Sequence, residues 1–139
     1  MNILLVNHYA GSPTLGMEYR PYYLAREWVR AGHRVQVLAA DFSHVRTVQP
    51  KVGDAGIELT DGVAYRFYAT PRYAGNGVAR LKNIAAFLRA VWADTTRLVR
   101  DFKPDVVISM LPKVHGHMAS RGLDLRPRQN ALGPGCGLG

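Results

Sequence analysis

The sequence predicts an α/β fold, a three-layer α/β/α domain built on a mostly parallel sheet. Three observations predict it. The first forty residues read as strand, glycine loop, helix and strand. A long amphipathic helix follows later and is stopped by Pro104. A further short apolar run, Asp105 to Ser109, comes directly after it. Strands that alternate with helices select a parallel sheet with right-handed crossovers.

Asn2-Ile-Leu-Leu-Val-Asn7 is the first strand, and it breaks into a loop, His8 to Gly16, with two glycines and a proline. A helix is expected from Glu18 to Ala31, with Leu24, Ala25, Trp28 and Val29 at helical spacing. Pro21 suits its first turn, Glu18 the positive end of its dipole, and Gly32 the position just past its end. The second strand, Val35 to Ala40, is almost wholly apolar, as a parallel strand covered on both faces should be.

Asp41 to Gly56 reads as a polar loop with Pro50 and Gly53. Two short strands then flank Asp61-Gly62, a strong hairpin signal. Thr70 to Gly77 is another loop, with Pro71, Gly75 and Gly77. From about Val78 to Phe102 a long helix is expected, its apolar stripe formed by Leu81, Ala85, Leu88, Trp92, Thr95, Val99 and Phe102. From Leu111 onward the composition turns to Gly, Pro and Arg with little periodicity. The expected division is therefore a domain over 1–110 and an irregular tail over 111–139.

The chain of 139 residues has room for one domain and one core. No apolar stretch is long enough to span a bilayer. The N-terminus opens on a strand rather than on a secretory signal, and Cys136 is the single cysteine, so a cytoplasmic location is expected. The net charge of +8 favours anionic partners: phosphorylated ligands, anionic lipid or nucleic acid. No nucleic-acid recognition motif accompanies it, and no basic-aromatic single-strand platform is evident, so no nucleic-acid partner is expected.

In the tail, Lys113, Arg121, Arg126 and Arg128 face one acid, Asp124. Lys82, Arg89, Arg97 and Arg100 fall on roughly one face of the long helix, opposite the expected apolar stripe. That face is either a solvated surface or a docking site for anionic lipid.

The loop after the first strand is the expected binding site. It is not GxGxxG, so a dinucleotide fingerprint is absent. Gly11 and Gly16 are placed where backbone N–H groups can approach an anion beside a helix start. The plainer reading is a strand-to-helix turn. Arg20 either holds a phosphate bidentately or pairs with Glu18 or Asp41. His8, at a strand's carboxyl end, is the candidate catalytic residue, against a plain hydrogen-bonded loop histidine. His33 reads as a connector at the opposite end of the sheet. His115 and His117 lack the further ligands that a metal site needs, so no metal is expected.

Several runs carry a resemblance. They are Ile3 to Gly11, Gly16-Met-Glu-Tyr-Arg-Pro-Tyr-Tyr-Leu-Ala-Arg-Glu-Trp28, and Gly32-His33-Arg-Val-Gln-Val. Phe42-Ser-His44, Thr70-Pro71, Tyr73 to Gly77 and Lys103-Pro-Asp-Val-Val-Ile108 continue it. Met1 to Ser109 resembles the N-terminal domain of GT-B fold, family-4-type glycosyltransferases, most closely the bacterial O-antigen and capsule enzymes. The resemblance implies a Rossmann-like domain, one half of a GT-B fold, facing a cleft.

It implies transfer from a nucleotide-sugar donor to a lipid-linked or glycan acceptor, with retention and without metal or other cofactor. Gly11, Gly16, Glu18 and Arg20 would line the acceptor-side cleft, and His8 would lie near the reacting sugar. The sequence ceases to resemble the family just after Ser109, so a truncated enzyme is expected, through a frameshift near Met110 or a divergent tail. Contact with the inner face of an anionic membrane would suit a lipid-linked acceptor. The alternative function is a non-catalytic anion-binding or interaction module that needs a separate C-terminal partner.

Overall fold

A computed structural model describes residues 1–50, 56–74 and 77–110. The tail from Leu111, with His115, His117 and Cys136, lies outside the described residues, as do Gly53, Gly75 and Asn76.

Among the described residues, five strands form one sheet in the order β3-β4-β2-β1-β5. They are β1 (Asn2–Val6), β2 (Arg34–Ala40), β3 (Ile57–Thr60), β4 (Val63–Tyr68) and β5 (Val106–Ser109). Two helices connect them, α1 (Arg20–Arg30) between β1 and β2, and α2 (Val78–Asp101) between β4 and β5. β1 pairs in parallel with β2 and with β5, and β2 in parallel with β4. Only β3 is antiparallel, joined to β4 by the hairpin turn at Asp61 and Gly62. Both turn residues have positive φ, 49° and 80°, which a primed two-residue turn requires and which Asp-Gly tolerates.

The pleat divides the core into two layers. Ile3, Leu5, Val35, Val37, Ala39, Val63, Tyr65 and Phe67 point to the α1 side, where Ala25 is buried and Trp28 and Val29 pack against them. Leu4, Leu38, Ala40 and Tyr68 point the other way and meet Phe87, Leu98 and Phe102 on the α2 side. The sheet is thus covered on both faces, and β2 is buried from Val35 to Ala40. The expected three-layer α/β/α architecture is the one found.

The long helix has the expected extent but presents a different face. Leu81, Leu88, Trp92 and Val99, expected in the core, are exposed, with Trp92 at 82%. Of that stripe only Phe102 is buried. The face on the sheet carries Asn83, Phe87 and Leu98 instead. Two polar residues on that side find partners on the strands and the loops after them. Asp94 accepts from the Tyr68 hydroxyl at 2.8 Å and pairs with Arg66 at 2.9 Å. Asn83 bonds His8 and the Pro71 carbonyl.

Lys82, Arg89 and Arg100 are therefore not opposite the apolar stripe from across a core. At ~100° per residue they border the exposed stripe, about 60–80° around the helix from Trp92. Arg97 lies further round, beside Asp101 at 3.6 Å.

Candidate functional site

The chain runs β1, β2, β4 in one direction across the sheet and then returns to place β5 on the other side of β1. That reversal makes the carboxyl ends of β1 and β5 a topological switch point, the general position of ligands in open parallel sheets. Asn7, His8 and the loop to Glu18 follow β1 there. Phe42 to Arg46 follow β2, and Thr70 to Tyr73 follow β4.

The loop after β1 folds tightly on itself. Gly11 donates its N–H to the Glu18 carbonyl at 2.9 Å, and Gly16 donates to the Ser12 carbonyl at 2.7 Å. A Cβ on Gly11 would collide with the Gly16 carbonyl oxygen. On Gly16, where φ is +93°, it would come within 2.8 Å of Thr47 Oγ1. Internal packing thus accounts for both glycines, and their amides, expected to meet an anion, are engaged within the loop. Glu18 and Arg20 are exposed at the start of α1. Among the described residues, Arg20 forms neither of the expected ion pairs, with Glu18 or with Asp41. Asp41 instead accepts from the Thr70 backbone and hydroxyl, at 2.8 and 2.9 Å.

His8 is 0% exposed. Its Nε2 lies 2.5 Å from Asn83 Oδ1, which makes Nε2 the donor of a neutral ring. Nδ1 is buried and has no hydrogen-bond partner among the described residues. The ring stands edge-on to Tyr9 and Phe87. Burial lowers its pKa to about 4; the Asn83 bond opposes this, and the charges of Arg46, Arg80 and His44 add to it. At neutral pH His8 is therefore uncharged and shielded, a poor proton donor to any solvent-borne group.

Arg46, which the sequence did not single out, is the buried cation of this edge. Its Nε donates to the Ala10 carbonyl at 2.9 Å and its Nη1 to the Ala40 carbonyl at 2.7 Å. Its Nη2 has no partner among the described residues, and the guanidinium lies over Phe67. Burial lowers its pKa to about 10, so it stays charged at neutral pH. A second set of groups spans the loops. His44 Nδ1 lies 2.6 Å from the Tyr73 hydroxyl. Arg80 Nε donates to the Tyr9 hydroxyl at 2.7 Å.

His33 sits at the other end of the sheet, as expected, its Nδ1 3.5 Å from the N-terminal amine. An open groove of about 420 Å³ also lies at that end, between the β3–β4 hairpin and α2, lined by Ile57, Leu59, Ala64, Arg66 and Phe102 among others. It is far from the loops that carry the candidate residues.

Residues 16–129 match the family model of the glycosyl transferase 4-like domain. The chain belongs to this family. The match begins at Gly16, within the loop after β1, and runs past Ser109 to residue 129. No curated protein and no solved structure matched the chain. A glycosyl transferase 4-like domain implies sugar-donor and acceptor substrates in general terms. Among the described residues, no helix is long and apolar enough to cross a membrane.

Proposed function

We propose that this glycosyl transferase 4-like domain is the acceptor side of a GT-B glycosyltransferase of the bacterial O-antigen and capsule type. It would work with a nucleotide-sugar donor and a lipid-linked or glycan acceptor. The observation that carries the reading is the switch point at the carboxyl ends of β1 and β5, beside which the loops after β1, β2 and β4 meet. Glu18 and Arg20, exposed at the start of α1, are the side chains of the resemblance's set that can still reach a ligand. Gly11 and Gly16 would shape the loop that holds them. His8 would serve by position rather than by proton transfer.

In this reading a second domain, on the same polypeptide or a separate one, closes over the donor. Transfer needs donor and acceptor held together with water excluded. The 139-residue chain alone is therefore expected to transfer no sugar. Assay of the purified chain with a panel of nucleotide sugars and glycan acceptors checks this, and measurable turnover would overturn it.

Contact with an anionic membrane, at the cytoplasmic face, belongs to the same proposal. Its support is the outer face of α2, where exposed Leu81, Leu88, Trp92 and Val99 are bordered by Lys82, Arg89 and Arg100. An apolar strip with a tryptophan and a basic rim suits a headgroup interface, where each basic residue contributes about 1 kcal/mol. Phosphatidylglycerol vesicles should pellet the chain and shift Trp92 fluorescence to the blue. Equal pelleting with phosphatidylcholine would remove the electrostatic part of the idea.

A further inference from the structure

From Val35 to Ala40, β2 is buried, and Gln36 is the one polar residue in that run, 5% exposed. It lines the groove of about 420 Å³ at the amino end of the sheet. Among the described residues its side-chain amide has no hydrogen-bond partner. A buried amide left unpaired is costly, so the position calls for an explanation. Arg34, two residues earlier on the same face of β2, lines the groove as well. Its guanidinium lies over the Phe102 ring at 5.3 Å and, among the described residues, makes no hydrogen bond or ion pair.

The other charges of the groove are already matched. Arg66 pairs with Asp94 at 2.9 Å, and Asp101 is shared by Arg97 and Arg100 at 3.6 and 2.8 Å. The walls are apolar. Ile57 and Leu59 of β3, 50% and 72% exposed, stand on one side, and Leu98 and Phe102 of α2 on the other. The volume falls within the ~300–1,000 Å³ range of small-molecule sites.

We infer that this groove binds a nucleoside monophosphate of the adenine type. The Gln36 amide both donates and accepts, so it is satisfied by a group that does both side by side. Adenine presents such an edge, which a glutamine can meet bidentately. Its flat face suits the space between the β3 aliphatic side chains and α2. Arg34, rooted about 7 Å along the strand from Gln36, then takes the phosphate. A bare phosphate would leave the amide and the apolar walls unmet, and a fatty acid would leave the amide unmet. The site lies at the opposite end of the sheet from the switch point, so it stands or falls apart from the acceptor-side reading.

The test is titration of the 139-residue chain with AMP, adenosine, ribose 5-phosphate and inorganic phosphate, followed by NMR. AMP should bind at least about tenfold more tightly than the other three and shift the Gln36 side-chain amide resonances. Absence of AMP binding would overturn the site. Adenosine equal to AMP would remove the phosphate from Arg34, and ribose 5-phosphate equal to AMP would remove the base from Gln36; either result overturns the assignment.

Two variants separate binding from structure. Arg34→Ala and Gln36→Leu should each weaken AMP about tenfold. Gln36→Leu should also melt no lower in urea than wild type, because it removes an unpaired buried amide and keeps a side chain of similar size. Arg30→Ala, on α1 beyond the other face of the sheet, should leave AMP affinity unchanged. Wild-type affinity in both groove variants, or AMP-induced shifts confined to the loops after β1, β2 and β4, would refute the groove as the site.

Discussion

α1 gives the sheet its one apolar stripe, whereas α2 has two and gives the sheet the one that carries Asn83 and Asp94. On α1 the buried side is plain: Pro21, Tyr22 and Ala25, with Trp28 and Val29 alongside. On α2 the sheet takes Phe87, Leu98 and Phe102 together with two polar residues that have partners waiting on strands and loops. Leu81, Leu88, Trp92 and Val99 are left in solvent. The difference teaches that a helix is oriented by specific pairing as well as by apolar area. A buried polar group with its partner in place is not penalised as an unpaired one is.

The sharpest test of this contrast is on α2 itself. Phe87→Ala should destabilise the chain by about 3–5 kcal/mol, since Phe87 is fully buried between His8 and Tyr68. Urea denaturation reads it, and a change under ~1 kcal/mol would mean that the sheet takes the other face.

Next in size is a pH effect at the same contact. His8 has its pKa held at about 4 when folded, against an ordinary 6.5. As pH falls, the unfolded chain takes up that proton first. Stability is therefore full above about pH 6.5 and is lost progressively towards pH 4, by on the order of 3 kcal/mol. Denaturation at pH 7 and pH 4.5 should show the loss in wild type and a flatter profile in His8→Asn.

Smaller again is Asp94→Ala, which strips the partner from Arg66 and Tyr68 and should cost about 1–3 kcal/mol. On α1, Ala25→Leu should cost a similar amount by overfilling a closed space. If Ala25→Leu were neutral, the α1 face would be looser than its burial indicates. The smallest effect belongs to the outer face of α2. Trp92→Ser and Leu88→Ser should change stability by no more than ~0.5 kcal/mol, read by urea denaturation, while weakening pelleting with phosphatidylglycerol vesicles.

Most of the scaffold was legible in the sequence. Strands β1 and β2, the Asp61-Gly62 hairpin, α1, α2 and β5 all occur close to their expected bounds, because each rests on local signals. Periodicity, glycine and proline positions and turn chemistry act over a few residues. The orientation of α2 was not legible, because Asn83 and Asp94 look like solvent-facing residues until His8, Arg66 and Tyr68 are placed opposite them. The spacing of Leu81, Leu88, Trp92 and Val99 was real, but periodicity does not say what a stripe will face.

The candidate residues were legible by their place in the fold and not by their partners. His8 does stand at the end of β1, yet its burial and its Asn83 partner come from a helix more than seventy residues on. Gly11 and Gly16 are indeed in the loop, but their amides close it. The gathering of Phe42, His44 and Tyr73 depends on β4 lying next to β2, a pairing that only the assembled sheet shows. Arg46 carried no motif at all, and burial alone brings it forward.

Arg46 also ties two segments into one moving part. Its Nε holds the Ala10 carbonyl, and the next two amides, of Thr47 and Val48, both donate to the Leu15 carbonyl. Its Nη1 holds the end of β2. Neither the loop after β1 nor the loop after β2 can be displaced alone without breaking these bonds. A push on one is a push on the other, so the two loops behave as a single stiff lever.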